Sequence, residues 1–68
     1  MDKRVLNHAY AILVKHKLLS AHQIIERMEL RFASRPSVRE MSQSMQRDSR
    51  FVSIRPIGER VTLWKPRL

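Results

Sequence analysis

The chain contains no cysteine and only one glycine, with three prolines, one tryptophan, one tyrosine and two phenylalanines. Without thiols there are no disulfides and no thiolate zinc sites to reinforce a small fold, a composition compatible with a reducing cytosol. A lone glycine cannot build a glycine-rich phosphate loop, and the sequence has neither a nucleophile elbow nor two carboxylates on one helix face, so no enzyme activity is expected. The three imidazoles are His8, His16 and His22. His8 and His16 do not share a helix face, and His22 with Glu26 offers two ligands at most, so neither metal nor cofactor is expected. Apolar runs fall well short of the roughly 20 residues that span a bilayer, and the N-terminus lacks a signal peptide's uninterrupted apolar segment. The expectation is a protein that stays in the cytoplasm, associated with the nucleoid and not with a membrane. Aromatics for stacking on unpaired bases are scarce, which weighs against structured RNA as the main partner.

Acidic residues are the other shortage: six against 14 lysines and arginines leave a formal charge of +8 on 68 residues. Such an excess favours polyanionic partners. Arginines outnumber lysines, and a guanidinium pairs in a two-pronged way with phosphate or guanine where an ammonium acts as a point charge. The length suffices for one domain, residues 1–68, built around a small core.

Asp2 can cap a first helix running to about His16, with Val5, Leu6, Ala9, Tyr10, Ile12 and Leu13 on one broad arc. Lys15, His16 and Lys17 put positive charge at its C-terminal end, favourable against the helix dipole and available to phosphate. Lys17-Leu18-Leu19 follows as a tight connector or a small strand. Ser20 and Gln23 have capping-box spacing, so a second helix starts near Ala21. Ala21, Ile24, Ile25, Met28 and Phe32 carry its amphipathic pattern to about Ala33. Pro36 then pushes Arg35 out of the helical region and suits the first turn of a third helix.

That third helix, residues 37–47, is where the chemistry is expected. Val38, Met41 and Met45 form a narrow apolar stripe, and at about 100° per residue the opposite arc collects Arg39, Glu40, Gln43, Gln46 and Arg47. Arginine and glutamine have forked polar ends that reach guanine and adenine edges in a major groove. Beyond Asp48 the pattern alternates, predicting a β-hairpin with Gly58 at a two-residue tip that needs a positive φ. The tip sets Ile54 opposite Leu63 and Val52 opposite Lys65, so Val52, Ile54, Val61 and Leu63 share one face. The other face carries Phe51, Ser53, Arg55, Thr62 and Trp64, and its two aromatics need cover from either the first helix or a second copy of the chain.

Helix, short extended piece, helix, turn, helix and hairpin in a small basic chain resembles the winged helix-turn-helix DNA-binding family along its whole length. Asp48-Ser49-Arg50-Phe51-Val52 followed by Leu63-Trp64-Lys65 resembles the hairpin start of HARE-type modules and of the delta subunit of bacterial RNA polymerase. Pro36-Ser37-Val38-Arg39-Glu40-Met41 is similar to the first helix of the helix-turn-helix in repressors of the SOS response. There a second helix follows, whereas a strand follows here. Aligning 37–47 with the recognition helix implies an α+β fold of three helices followed by a C-terminal two-stranded hairpin wing. It also implies a small transcriptional regulator of double-stranded DNA. By this resemblance Arg39, Gln43, Gln46 and Arg47 would face bases and nearby phosphates. Arg35 and Ser37 would hold a phosphate at the helix N-terminus, and Arg55 and Arg60 would flank the wing tip beside a narrow minor groove. A homodimer is expected, because one recognition helix reads only a few base pairs, with Phe51 and Trp64 as dimer or partner contacts. The rival expectation is a winged-helix interaction module whose partner is a protein of the transcription machinery or another nucleic-acid enzyme.

Overall fold

A computed structural model describes residues 3–28, 36–58 and 60–68. Helix α1, Lys3–His16, buries Val5, Ala9 and Leu13 along one face, with Leu6, Tyr10 and Ile12 partly buried against the same core. Asp2, the expected cap, lies outside the described residues. The helix is left through Lys17, whose φ of 73° is in the left-handed region, with no glycine to take that conformation freely. Its N–H still donates to the Leu13 carbonyl at 2.6 Å.

This sharp exit turns Leu19–Ser20 into strand β1. Ser20 then serves twice. Its hydroxyl accepts from the Gln23 N–H at 3.2 Å while the Gln23 side chain accepts from the Ser20 N–H at 3.0 Å, the full capping box of α2, Ala21–Arg27. The helix ends earlier than its amphipathic pattern suggests. Met28 is extended, with its N–H turned back to the Ile25 carbonyl at 3.2 Å, yet its side chain is buried. Apolar spacing tracks burial, and burial here outlasts the helical backbone. Phe32 and Ala33 lie outside the described residues. Helix α3 covers Val38–Arg47, followed by strands β2, Phe51–Ile54, and β3, Leu63–Pro66.

Among the described residues the architecture is three helices on one antiparallel sheet of order β1-β3-β2. The expected two-stranded hairpin therefore has a third strand: Leu19 pairs with Trp64 and Ser20 with Leu63, on the β3 edge that β2 leaves open. An unpaired edge would leave a row of free N–H and C=O groups, and two residues of β1 meet part of that need. The hairpin register is the expected one, Val52 opposite Lys65 and Ile54 opposite Leu63. Gly58 has the expected positive φ, 85°, although the paired strands stop at Ile54 and Leu63.

Cover for the hairpin aromatics comes from within the chain. Phe51 and Trp64 are 5 % and 4 % exposed and belong to the core with Ala9, Leu13, Ile24, Met41 and Met45. Tyr10 of α1 meets Phe51 edge to face, centroids 5.9 Å apart at 89°, and its hydroxyl donates to the Arg67 carbonyl at 3.0 Å. Trp64 lies on the central strand between Leu19 and Ser53. Val52, Ile54 and Leu63 on the reverse face are only half-buried. Phe51 and Trp64 are thus corrected from dimer or partner contacts to core residues: two large rings remove more apolar area from water than the aliphatic face would. The expectation of a homodimer loses the observation that motivated it.

Candidate nucleic-acid interface

Helix α3 begins at Ser37, whose hydroxyl accepts from the Glu40 N–H at 3.1 Å and donates to Glu40 Oε1 at 3.3 Å. The cap is therefore closed by its own residues. Ser37, expected to hold a phosphate, has its hydroxyl engaged, and an anion arriving there meets the Glu40 carboxylate. Arg35, its expected companion, lies outside the described residues. Met41 and Met45 are fully buried and orient the helix. Val38, read as part of the same stripe, is 44 % exposed, because the first turn rides past the end of the core.

With the two methionines turned in, Arg39, Gln43, Gln46 and Arg47 are all exposed. Among the described residues none of Arg39, Arg47, Arg55 and Arg60 forms an ion pair. Described carboxylates are engaged elsewhere: Glu26 with His22 at 2.9 Å, Glu40 with Ser37, and Asp48 with Arg50. The arginines of α3 and of the hairpin are left facing solvent with their charge unspent.

Between α3 and the hairpin runs a cleft of about 570 Å³ lined by Ser42, Gln46, Ser53, Arg55, Thr62 and Trp64. Its rim is rich in donors: three hydroxyls, one amide and one guanidinium, which suits phosphate oxygens. Arg55 Nη2 donates to Thr62 Oγ1 at 3.4 Å, bracing the guanidinium across the hairpin. Beside it, Arg60 joins Val38, Ser42, Val61 and Thr62 around a second cleft of about 410 Å³ that reaches Ser20 and His22 at the start of α2. The fold thus brings Gln46 together with Arg55, and sets Arg60 against the first turns of α3. Arg39, Gln43 and Arg47 line neither cleft and occupy the open arc beyond them.

Sequence reasoning missed Ser42, Ser53 and Thr62. Ser42 was within reach, since Val38, Ser42 and Gln46 form an i, i+4, i+8 row bordering the apolar stripe. Ser53 and Thr62 needed knowledge of which hairpin face turns toward α3.

Arg50 was missed for a different reason. It follows α3 directly, and its guanidinium holds the Asp48 carboxylate through Nε, at 3.2 Å to both oxygens, and through Nη2 at 2.9 Å. Its backbone N–H donates to Asp48 Oδ1 at 2.9 Å, and Nη1 reaches Asn7 Oδ1 of α1 at 2.8 Å. The guanidinium carbon lies 5.3 Å from the Tyr10 ring centre and 5.8 Å from that of Phe51. These bonds hold the Asp48 carboxyl below the usual carboxylate range, the guanidinium contributing most and the backbone N–H next, and raise the guanidinium further. One arginine thus ties the end of α3 to α1 and to the start of β2, which sets how the hairpin leaves the helix.

Among the described residues no helix is long and apolar enough to cross a membrane, and no three His, Asp or Glu side chains gather to hold a metal ion. Compared with known proteins, the chain matches no family model, no curated protein and no solved structure.

Proposed function

We propose that this chain is a winged helix-turn-helix DNA-binding protein, acting as a small transcriptional regulator of duplex DNA. Helix α3 enters the major groove and the hairpin serves as wing. The observation that carries the reading is the donor-rich cleft between α3 and the hairpin, lined by Arg55, with Arg39, Arg47 and Arg60 exposed around it and none of the four in an ion pair among the described residues. A helix in one groove and a hairpin at the next must straddle a strand of backbone, and the hydroxyl, amide and guanidinium donors of Ser42, Gln46, Ser53, Thr62 and Arg55 suit that strand's phosphates. Gln43 and Arg47, exposed beyond the cleft, are then the base readers. Arg39 reaches bases or the adjoining phosphates, and Arg60 grips the backbone from the wing.

The test is a salt titration of binding to random duplex, followed by selection of preferred sequences from a random pool. Each phosphate contact adds about 0.9 to the log–log salt slope. On the selected sequence Gln43→Ala and Arg47→Ala should each cost about 1–3 kcal/mol while leaving random-duplex binding nearly unchanged. Equal losses on both would reduce these residues to backbone contacts. No binding at low salt would remove the DNA reading and favour a protein partner.

A further inference from the structure

Turn tips are normally built from glycine, proline, asparagine, aspartate or serine, which suit the backbone and tolerate water. Here the tip carries Ile57, a β-branched apolar side chain with no burial at all, 105 % exposed, immediately before Gly58 at φ 85°. Single exposed aliphatics elsewhere, such as Val14 or Leu18, are part of an ordinary surface. Ile57 differs in its setting. It stands at the far end of a hairpin whose limbs present Arg55 and Arg60, both lining clefts shared with α3. Pro56 precedes it and fixes φ on the approach. Two cations bracket an apolar point on the side of the molecule that carries the proposed DNA surface. Glu59, between Gly58 and Arg60 in the sequence, lies outside the described residues, and even with its charge the stretch 55–60 stays net positive.

Resting on the DNA reading above, we infer that Ile57 is a wedge: it enters the minor groove and partly unstacks one base step, while Arg55 and Arg60 hold the phosphates on either side. The duplex is bent away from the wing, and the preferred sites contain an easily unstacked pyrimidine–purine step where the tip lands. Specificity at that step comes from the energy of deforming it, not from hydrogen bonds to its edges.

The experiment uses the full chain and a duplex of the selected sequence labelled at its two ends, with bend angle read by energy transfer and affinity by titration. Wild type should bend the duplex by at least about 20°, the low end for wedge side chains. Ile57→Ala should bind with the same salt slope to an unbent duplex, and Ile57→Leu should restore the bend. Placing a mismatch at the landing step should tighten wild-type binding several-fold and leave Ile57→Ala unchanged, since the unstacking is then already done. Equal bending by wild type and Ile57→Ala, or a straight complex with wild type, would overturn the wedge and leave DNA binding intact. Failure of wild type to bind any duplex would overturn both. Binding to anionic vesicles in place of duplex would move the tip to a lipid surface and overturn both as well. Because Ile57 touches nothing in the core, its substitution leaves folding undisturbed, which melting curves of the free proteins check.

Discussion

Which face of the hairpin is buried decides where the molecule keeps its stability, and Phe51 tests it directly. Its ring is 5 % exposed, meets Tyr10 edge to face at 5.9 Å and has the Arg50 guanidinium 5.8 Å away. Removing a buried phenylalanine side chain costs about 3–5 kcal/mol, of which about 0.5–1.5 belongs to an aromatic pair of this geometry. At roughly 0.05–0.15 kcal/mol per residue, the whole domain is stabilised by only about 3–10 kcal/mol, so Phe51→Ala removes a large part of the total and Phe51→Leu is the usable variant. Losing the aromatic pair but keeping an apolar side chain should cost about 1–2 kcal/mol. Val52, next in the strand and half-buried on the reverse face, should cost less than about 1 kcal/mol when cut to alanine. Urea unfolding followed through the single tryptophan, buried Trp64, resolves the two: with a slope of about 1 kcal/mol/M, Phe51→Leu moves the midpoint by about 1–2 M and Val52→Ala by distinctly less. The opposite order would mean that the aliphatic face is the buried one and that the rings are free for a partner after all.

Two further perturbations test local physics. Lys17→Gly should stabilise the protein by about 0.5–1 kcal/mol, because a left-handed residue costs a side chain about 1–2 kcal/mol and glycine's greater unfolded-state freedom returns part of the gain; a lower melting temperature for the variant would contradict this. The Asp48 carboxyl is held below its ordinary value of 3.8. A depressed carboxylate contributes stability above the unfolded value that is lost as pH falls through the folded one. Between about pH 6 and about pH 3 wild type should therefore lose more melting temperature than Asp48→Asn, and parallel losses would show that the Arg50 pairing adds nothing.

Local signals with a single physical reading survived into the structure. The Ser20–Gln23 box, the exposed arc Arg39, Gln43, Gln46 and Arg47, and the hairpin register each follow from spacing alone, whereas Pro36, expected in the first turn of α3, stands before its Ser37 cap. What spacing did not decide was how those elements share a core. Register says which residues stand together, Phe51 with Ser53 and Trp64 or Val52 with Ile54 and Leu63, but both sets are apolar enough to be buried. The choice falls to partners remote in sequence, Tyr10 at the far end of the chain and Leu19 in a strand of two residues. Helix length failed similarly, since Met28 keeps its buried position after the backbone has left the helix. Arg50 was illegible because its role depends on Asn7 and Tyr10, 43 and 40 positions earlier in the numbering.

These corrections divide the hairpin into two ends of different character. Its base is core: Phe51, Trp64 and Pro66 are buried, and Arg50 clamps it to α1 and to the end of α3. Its tip faces solvent: Arg55, Ile57, Gly58 and Arg60 are exposed, and the paired strands stop before them. A single element is therefore anchored in the core at one end and exposed at the other. Substitutions at the tip can alter what the protein contacts without altering whether it folds, while substitutions at the base do the reverse. Arg50 sits at the junction, touching no proposed ligand, yet its bonds fix the angle at which the tip is offered beside α3. On the DNA reading proposed above, weakening them should shift affinity for duplex through geometry alone, with the arginines of α3 and of the hairpin left in place.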